Sequence, residues 1–172
     1  MKIRFLVLGL CLVTVAAFGQ TNPKKKELQP FAGSWQCTGT TFASPWAPEH
    51  STKASVTGAW ILGGQWMEVH YWEAKTAKNA HPVDVRIFYG YDEQLKALVG
   101  GSVDNTGAYS TQQSTGWQGD KLVFSGPMHG GGATMTTRDT YTKVGDNEVR
   151  HMGELEEKGV WKKLDQEVCK KK

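Results

Sequence analysis

From Gly33 onward the sequence predicts an all-β domain, a sandwich or a barrel. Three observations carry that expectation. Short stretches are rich in Thr, Val, Tyr and Trp, turn residues interrupt them about every ten positions, and apolar side chains recur at period two within them. The breaks fall at Ala47-Pro48, Leu62-Gly63-Gly64, His81-Pro82, Tyr91-Asp92-Glu93, Asp104-Asn105-Thr106-Gly107, Gln118-Gly119-Asp120, Gly130-Gly131-Gly132, Gly145-Asp146-Asn147 and Lys158-Gly159, which divides the body into ten segments.

Ahead of the first strand, residues 1–19 read as a secretory signal. Lys2 and Arg4 form a charged start, Phe5 to Phe18 an apolar run, and small residues follow, so that cleavage after Gly19 or after Ala17 fits equally well. The run is shorter than the roughly 20 residues needed to span a bilayer. Cys11 sits inside it with no small-residue site before it, unlike a lipoprotein acylation box. The expectation is an exported protein, periplasmic or secreted, with no transmembrane segment after cleavage. Residues 20–27 form a basic lead-in, residues 28–170 a single domain, and residues 171–172 a basic tail.

Along that domain, alternation is clearest in Val85, Ile87, Tyr89 and Tyr91 and in Met67, Val69 and Tyr71. Asp92 and Asp104 are turn formers, because Asp side chains bond their own backbone there. The segment after His129 opens on three glycines but leads into Ala133-Thr134-Met135-Thr136-Thr137, a strand pattern, so a hairpin tip accounts for it better than a phosphate loop, which needs a following helix and a placed Lys. The last segment is ambiguous. Trp161, Leu164 and Val168 recur at i, i+3 and i+7, which also suits an amphipathic helix.

Composition limits the partners. At 172 residues, 39% hydrophobic and 22% charged, the chain makes one domain with a core and is not a disordered polymer. The net charge of +3 is set by its ends: without the signal, Lys24 to Lys26, Glu27 and Lys170 to Lys172, the body from Pro30 to Cys169 has 12 basic and 16 acidic residues. An acidic body without a continuous basic stripe argues against nucleic acid as a partner.

The order Gly33-Ser34-Trp35, Ile61-Leu62-Gly63-Gly64-Gln65-Trp66-Met67, Tyr89-Gly90-Tyr91-Asp92, Val103 to Gly107, Arg138, Glu154 and Cys169-Lys170 resembles the bacterial calycin, or lipocalin-like, family catalogued as domain of unknown function fifteen seventy-nine. The resemblance implies a closed, mostly antiparallel barrel of about eight to ten strands with a short lead-in at residues 27–32 plugging one end. Closure removes the two unpaired edges an open meander would expose. The resemblance also turns residues 160–169 into a final strand against the first. Gly33 would turn the chain into the barrel, Trp35 would fill its narrow end, and a basic side chain, Arg150 or Arg138, would cover that Trp. With first and last strands adjacent, Cys37 and Cys169 would meet as a disulfide across the seam, within the roughly 4.4–6.8 Å Cα window such a bond requires.

Candidate ligand-binding residues are Trp66, Glu68, His70 and Trp72, which share one face of a strand, together with His129 and Arg138. If that face points inward, the barrel holds an aromatic pocket with a His and a carboxylate. If it points outward, Met67, Val69 and Tyr71 fill the core, and this set is the more apolar. His151 and Glu154 would face opposite ways on a strand and are set aside as a metal pair. There is no Gly-x-Ser-x-Gly and no His-Glu-x-x-His, so no catalytic residue, metal or cofactor is expected. The expected function is non-enzymatic: an exported barrel holding a small hydrophobic or amphipathic molecule, since ten strands leave more room than side chains fill. Alternatives are a haem-binding peroxynitrite isomerase, from calycin kinship with nitrobindins, and an envelope interaction protein bound through its lysine ends. Nitrobindins take their axial His from near the last strand, and this chain has no His after His151.

Overall fold

A computed structural model of the chain describes residues 22, 24–44 and 47–172. The expected signal, residues 1–19, lies outside the described residues. Ten strands, β1 (Gly33–Thr41), β2 (His50–Ile61), β3 (Trp66–Glu73), β4 (Asp84–Asp92), β5 (Ala97–Asp104), β6 (Tyr109–Ser114), β7 (Lys121–Gly130), β8 (Ala133–Lys143), β9 (Glu148–Glu157) and β10 (Val160–Lys171), run as an antiparallel meander. β10 pairs with β1, so the sheet closes on itself without an edge. Each expected break marks a junction between two strands, overlapping the strand ends at Tyr91-Asp92, Asp104 and Gly130. The Gly130-Gly131-Gly132 segment is a tight β7–β8 hairpin tip, with Gly131 and Gly132 at positive φ.

One end of the barrel is plugged. Helix α1 (Lys25–Leu28) and a 3₁₀ turn (Gln29–Phe31) lie across it, with Leu28 fully buried and Phe31 8% exposed. They pack on Met67, Val69, Tyr89, Leu98, Leu122 and Phe124 to form the core. The Phe31 ring stacks on Tyr89 at 5.2 Å and meets Tyr141 edge-on at 4.9 Å. Two indoles pin the lead-in: Trp117 Nε1 donates to the Glu27 carbonyl at 2.8 Å and Trp60 Nε1 to Gln29 Oε1 at 3.1 Å. Gly33 enters β1 at φ 106°, a conformation side chains resist. On β2, a Cβ at Gly58 would stand 2.0 Å from the Phe31 carbonyl oxygen, so only glycine lets the plug lie this close to the wall.

The last segment is a strand, and its irregular spacing has a physical cause. The β9–β10 register shifts between Lys163 and Asp165, inserting Leu164 as a bulge. An extra residue breaks period two and imitates helical spacing. The strand continues to Lys171, beyond the expected domain end at residue 170.

The seam register sets Cys37 against Cys169, and the two form a disulfide with Cα atoms 4.0 Å apart. The same register sets Trp35 against Lys171, whose Nζ lies 5.3 Å from the indole centroid. Neither arginine expected over Trp35 is there. Arg150 is exposed and paired with Glu148 at 3.3 Å, while the Arg138 guanidinium stands 4.2 Å over Trp161. Pairing direction decides this: β10 ends where β1 begins, so a residue from its C-terminus reaches Trp35.

Candidate functional site

Above the plug the barrel is hollow. The cavity, of about 360 Å³, falls within the range of small-molecule sites. Its wall has two characters. Val56, Val69, Val85, Ile87, Met128 and Leu164 give apolar surface, and Tyr71, Glu73, Asp139, His151, Asp165 and Glu167 give a polar side contributed by β3, β8, β9 and β10. Period two explains the polar set. Glu73 continues the inward series Met67, Val69, Tyr71, while Asp165 and Glu167 share the inward parity of Cys169 beyond the bulge.

His151 is the centre of one group. Its Nε2 lies 2.9 Å from Asp139 Oδ1 and its Nδ1 3.1 Å from Asp165 Oδ1. Burial by itself would lower the imidazole's pKa, but the charge of Asp165, hydrogen bonds to both carboxylates and the charge of Asp139 outweigh it and hold the pKa well above the ordinary value. With a carboxylate at each nitrogen, the protonated ring can donate from both. Asp139 is further held by Gln112 Nε2 at 2.5 Å. Beside it, Tyr141 and Tyr89 bond hydroxyl to hydroxyl at 2.7 Å, and burial pushes both phenols well above their usual range.

Glu167 centres the second group. Thr52 Oγ1 donates to its Oε1 at 3.0 Å and Tyr71 OH at 2.8 Å, and the same hydroxyl lies 3.2 Å from Glu73 Oε1. Burial raises the Glu167 carboxyl pKa, opposed by the Tyr71 hydrogen bond and by the charge of His151. Burial also carries the Tyr71 phenol far above its usual range, with the charges of Glu167 and Glu73 acting the same way. Tyr71 is therefore a permanent donor. Glu73 Oε2 accepts from Asn79 Nδ2 at 2.7 Å and from the Val83 amide at 2.9 Å, which ties the β3–β4 connection to the barrel mouth.

The strand face offered as a pocket points the other way. Trp66 covers Gly90 on the outside of the sheet, Glu68 pairs with Arg86 at 3.1 Å, and His70 bonds Asp84 at 2.8 Å with its ring 4.5 Å from Trp72. None of the four lines the cavity; the outward alternative, with Met67 and Val69 buried, is the one observed. His129 is also outside the lumen, stacked on Tyr109 at 4.5 Å and bonded to Thr134 at 2.9 Å near the β7–β8 tip. Arg138 does reach the cavity wall, as an ion pair with Glu154 at 2.6 Å. The sequence places Tyr71 on the favoured inward face and sets His151 aside, and it does not single out Asp139, Asp165, Glu167 or Glu73. Parity from Cys169 and Tyr71 would have found most of them, but acidic residues at period two ordinarily mark a solvent face.

Metal and haem are poorly served here. Among the described residues, Cys37, Glu167 and Cys169 form the one cluster close enough to ligate an ion, and both sulfurs are consumed by the disulfide. Of the five histidines only His151 lines the lumen, and both its nitrogens are held by carboxylates, so it is not free as an axial ligand. These residues do not fit haem.

No match is found among curated proteins. Among solved structures, Rv2717c from M. tuberculosis superposes with a TM-score of 0.66 at 12% identity, covering 89% of this chain and 99% of its own, a likeness of fold. The sequence carries the relationship further. Residues 20–170 match the family described as protein of unknown function (DUF1579), and with nearly the whole barrel and its lead-in inside that match, the chain belongs to this family.

Proposed function

We propose that this protein is an exported, non-enzymatic carrier or sensor that holds a small amphipathic molecule in the barrel lumen. One observation supports it above the others: a cavity of about 360 Å³ whose wall divides into an apolar side and a hydrogen-bonding side, over a plugged floor. A cavity that served only as a packing defect would cost stability in proportion to its volume, and an apolar void would not need six polar side chains. Export rests on the leader-like residues 1–19 and agrees with a disulfide across the seam, a bond favoured in oxidising compartments.

The test is a fluorescence titration with N-phenyl-1-naphthylamine, a neutral apolar probe. Saturable one-to-one binding is expected in the wild type. Val85→Trp, which fills the lumen from its apolar side, abolishes binding while circular dichroism remains that of the folded barrel. Unsaturable binding, or binding indifferent to Val85→Trp, contradicts the reading.

A further inference from the structure

We propose that the lumen selects amphiphiles with a cationic head, an alkylamine or quaternary ammonium, seated against Asp165, Glu167 and Glu73. This rests on the reading of the lumen as a binding site and adds the charge of its occupant.

The cavity wall carries six carboxylates, Glu73, Asp104, Asp139, Glu154, Asp165 and Glu167, against one guanidinium and one imidazole. Several are already satisfied. Arg138 neutralises Glu154, and Asp104 accepts from the Thr106 and Ala108 amides of its own turn. His151 is one positive charge shared by Asp139 and Asp165. No cation among the described residues pairs with Glu73 or Glu167.

The donors these two carboxylates have are neutral: Thr52 and Tyr71 reach Glu167 Oε1, Asn79 and the Val83 amide reach Glu73 Oε2, and the single Tyr71 proton lies between Glu167 and Glu73. Glu167 is 6% exposed, so water cannot solvate it freely. Carboxylates at low solvent access are costly, and they either hold a proton more tightly, the direction in which burial moves Glu167, or are met by a counter-charge. Beyond the Arg138–Glu154 pair the lumen supplies one imidazole, His151, for Asp139, Asp165, Glu73 and Glu167, and an ammonium group would add a second positive charge.

Another polar group in the same wall also lacks a partner. Trp35 lines the cavity, is 4% exposed, and its indole N–H has no acceptor among the described residues. Its place near the plug is several residues along β1 from Gly39, the residue opposite Glu167. An occupant with its head at the carboxylates extends its body along Val69, Val85 and Ile87 towards that indole. An acceptor on the deep end of the molecule would satisfy it. An anionic head has no such fit: the only imidazolium is already bracketed by carboxylates, and like charges across a poorly solvated space disfavour entry.

Calorimetric titration of the wild-type protein at neutral pH and low salt with decyltrimethylammonium, decanoate and decanol, each below its aggregation limit, separates the possibilities. The ammonium is expected to bind at least about tenfold more tightly than either chain-matched partner. Asp165→Asn and Glu73→Gln, tested separately, are each expected to reduce ammonium affinity several-fold and decanol affinity by much less; having two variants guards against one that folds poorly. Equal or tighter binding of decanoate or decanol overturns the cationic inference and leaves the lumen reading standing. So does ammonium binding that neither substitution weakens. If none of the three binds and the naphthylamine probe does not either, both readings fail.

Discussion

At the residue scale, His151 and Glu167 make the fold sensitive to pH in one direction. His151 faces Asp139 on β8, Asp165 and Glu167 on β10, and the Tyr141 ring at 5.0 Å. Its folded pKa lies well above the ordinary 6.5, so its contribution is complete below that pH and is lost as pH rises through the folded value. Glu167 is a carboxyl raised by burial, so the folded state also binds its proton more tightly than the unfolded state, and stability falls as pH rises from 4.5 through its folded value. Urea unfolding at a series of pH values is expected to show stability declining from mildly acidic to alkaline solution. His151→Gln flattens the upper part of that decline and lowers stability at neutral pH, because it leaves Asp139 and Asp165 facing each other. Glu167→Gln keeps an acceptor for Thr52 and Tyr71 and flattens the lower part. An unchanged pH slope in both variants would show that other groups set it.

At the scale of elements, the plug and the seam do most to define the barrel. Phe31→Ala removes a ring that meets both Tyr89 and Tyr141, and is expected to cost roughly 3–5 kcal/mol in denaturant unfolding. The 132-residue separation of the cysteines makes the disulfide worth at most about 5 kcal/mol through unfolded-state entropy, so Cys37→Ser with Cys169→Ser lowers the unfolding midpoint by a measurable part of that. Thiol titration of the denatured, unreduced wild type is expected to find neither cysteine free. Lysines at the plugged end of the barrel are part of the same construction. Lys25 stands over Trp60 at 5.0 Å, Lys171 over Trp35 at 5.3 Å and Lys143 over Trp117 at 5.3 Å, so the positive charge at the plugged end is laid on indole faces. Turn chemistry and period two made every strand break legible in the sequence. Where the pattern misled, at Trp161, Leu164 and Val168, a bulge had broken the period, and bulges leave little trace in composition.

For the whole molecule, the interior was much less legible than the frame. Met67, Val69 and Tyr71 were readable as the inward set by their apolar character, yet the site is carried by the residues that break that rule: Glu73 at the end of the same series, and Asp139, His151, Asp165 and Glu167 on β8, β9 and β10. Pairing of neighbouring strands brings the last four together and closure of the barrel sets them against Tyr71 and Glu73 on β3, and single-strand patterning cannot show which acidic residues face each other across a lumen. The four outward residues of β3 were conspicuous because Trp and His stand out in sequence, although exposure to solvent is compatible with them. A hollow interior lined in this way is expected to be occupied. Native mass spectrometry of the protein purified without denaturation from its own compartment is expected to show a stoichiometric adduct, of basic character once released, that is absent from Val85→Trp. A wild type that flies at its bare mass, and that stays bare after incubation with the naphthylamine probe and decyltrimethylammonium, would contradict that expectation.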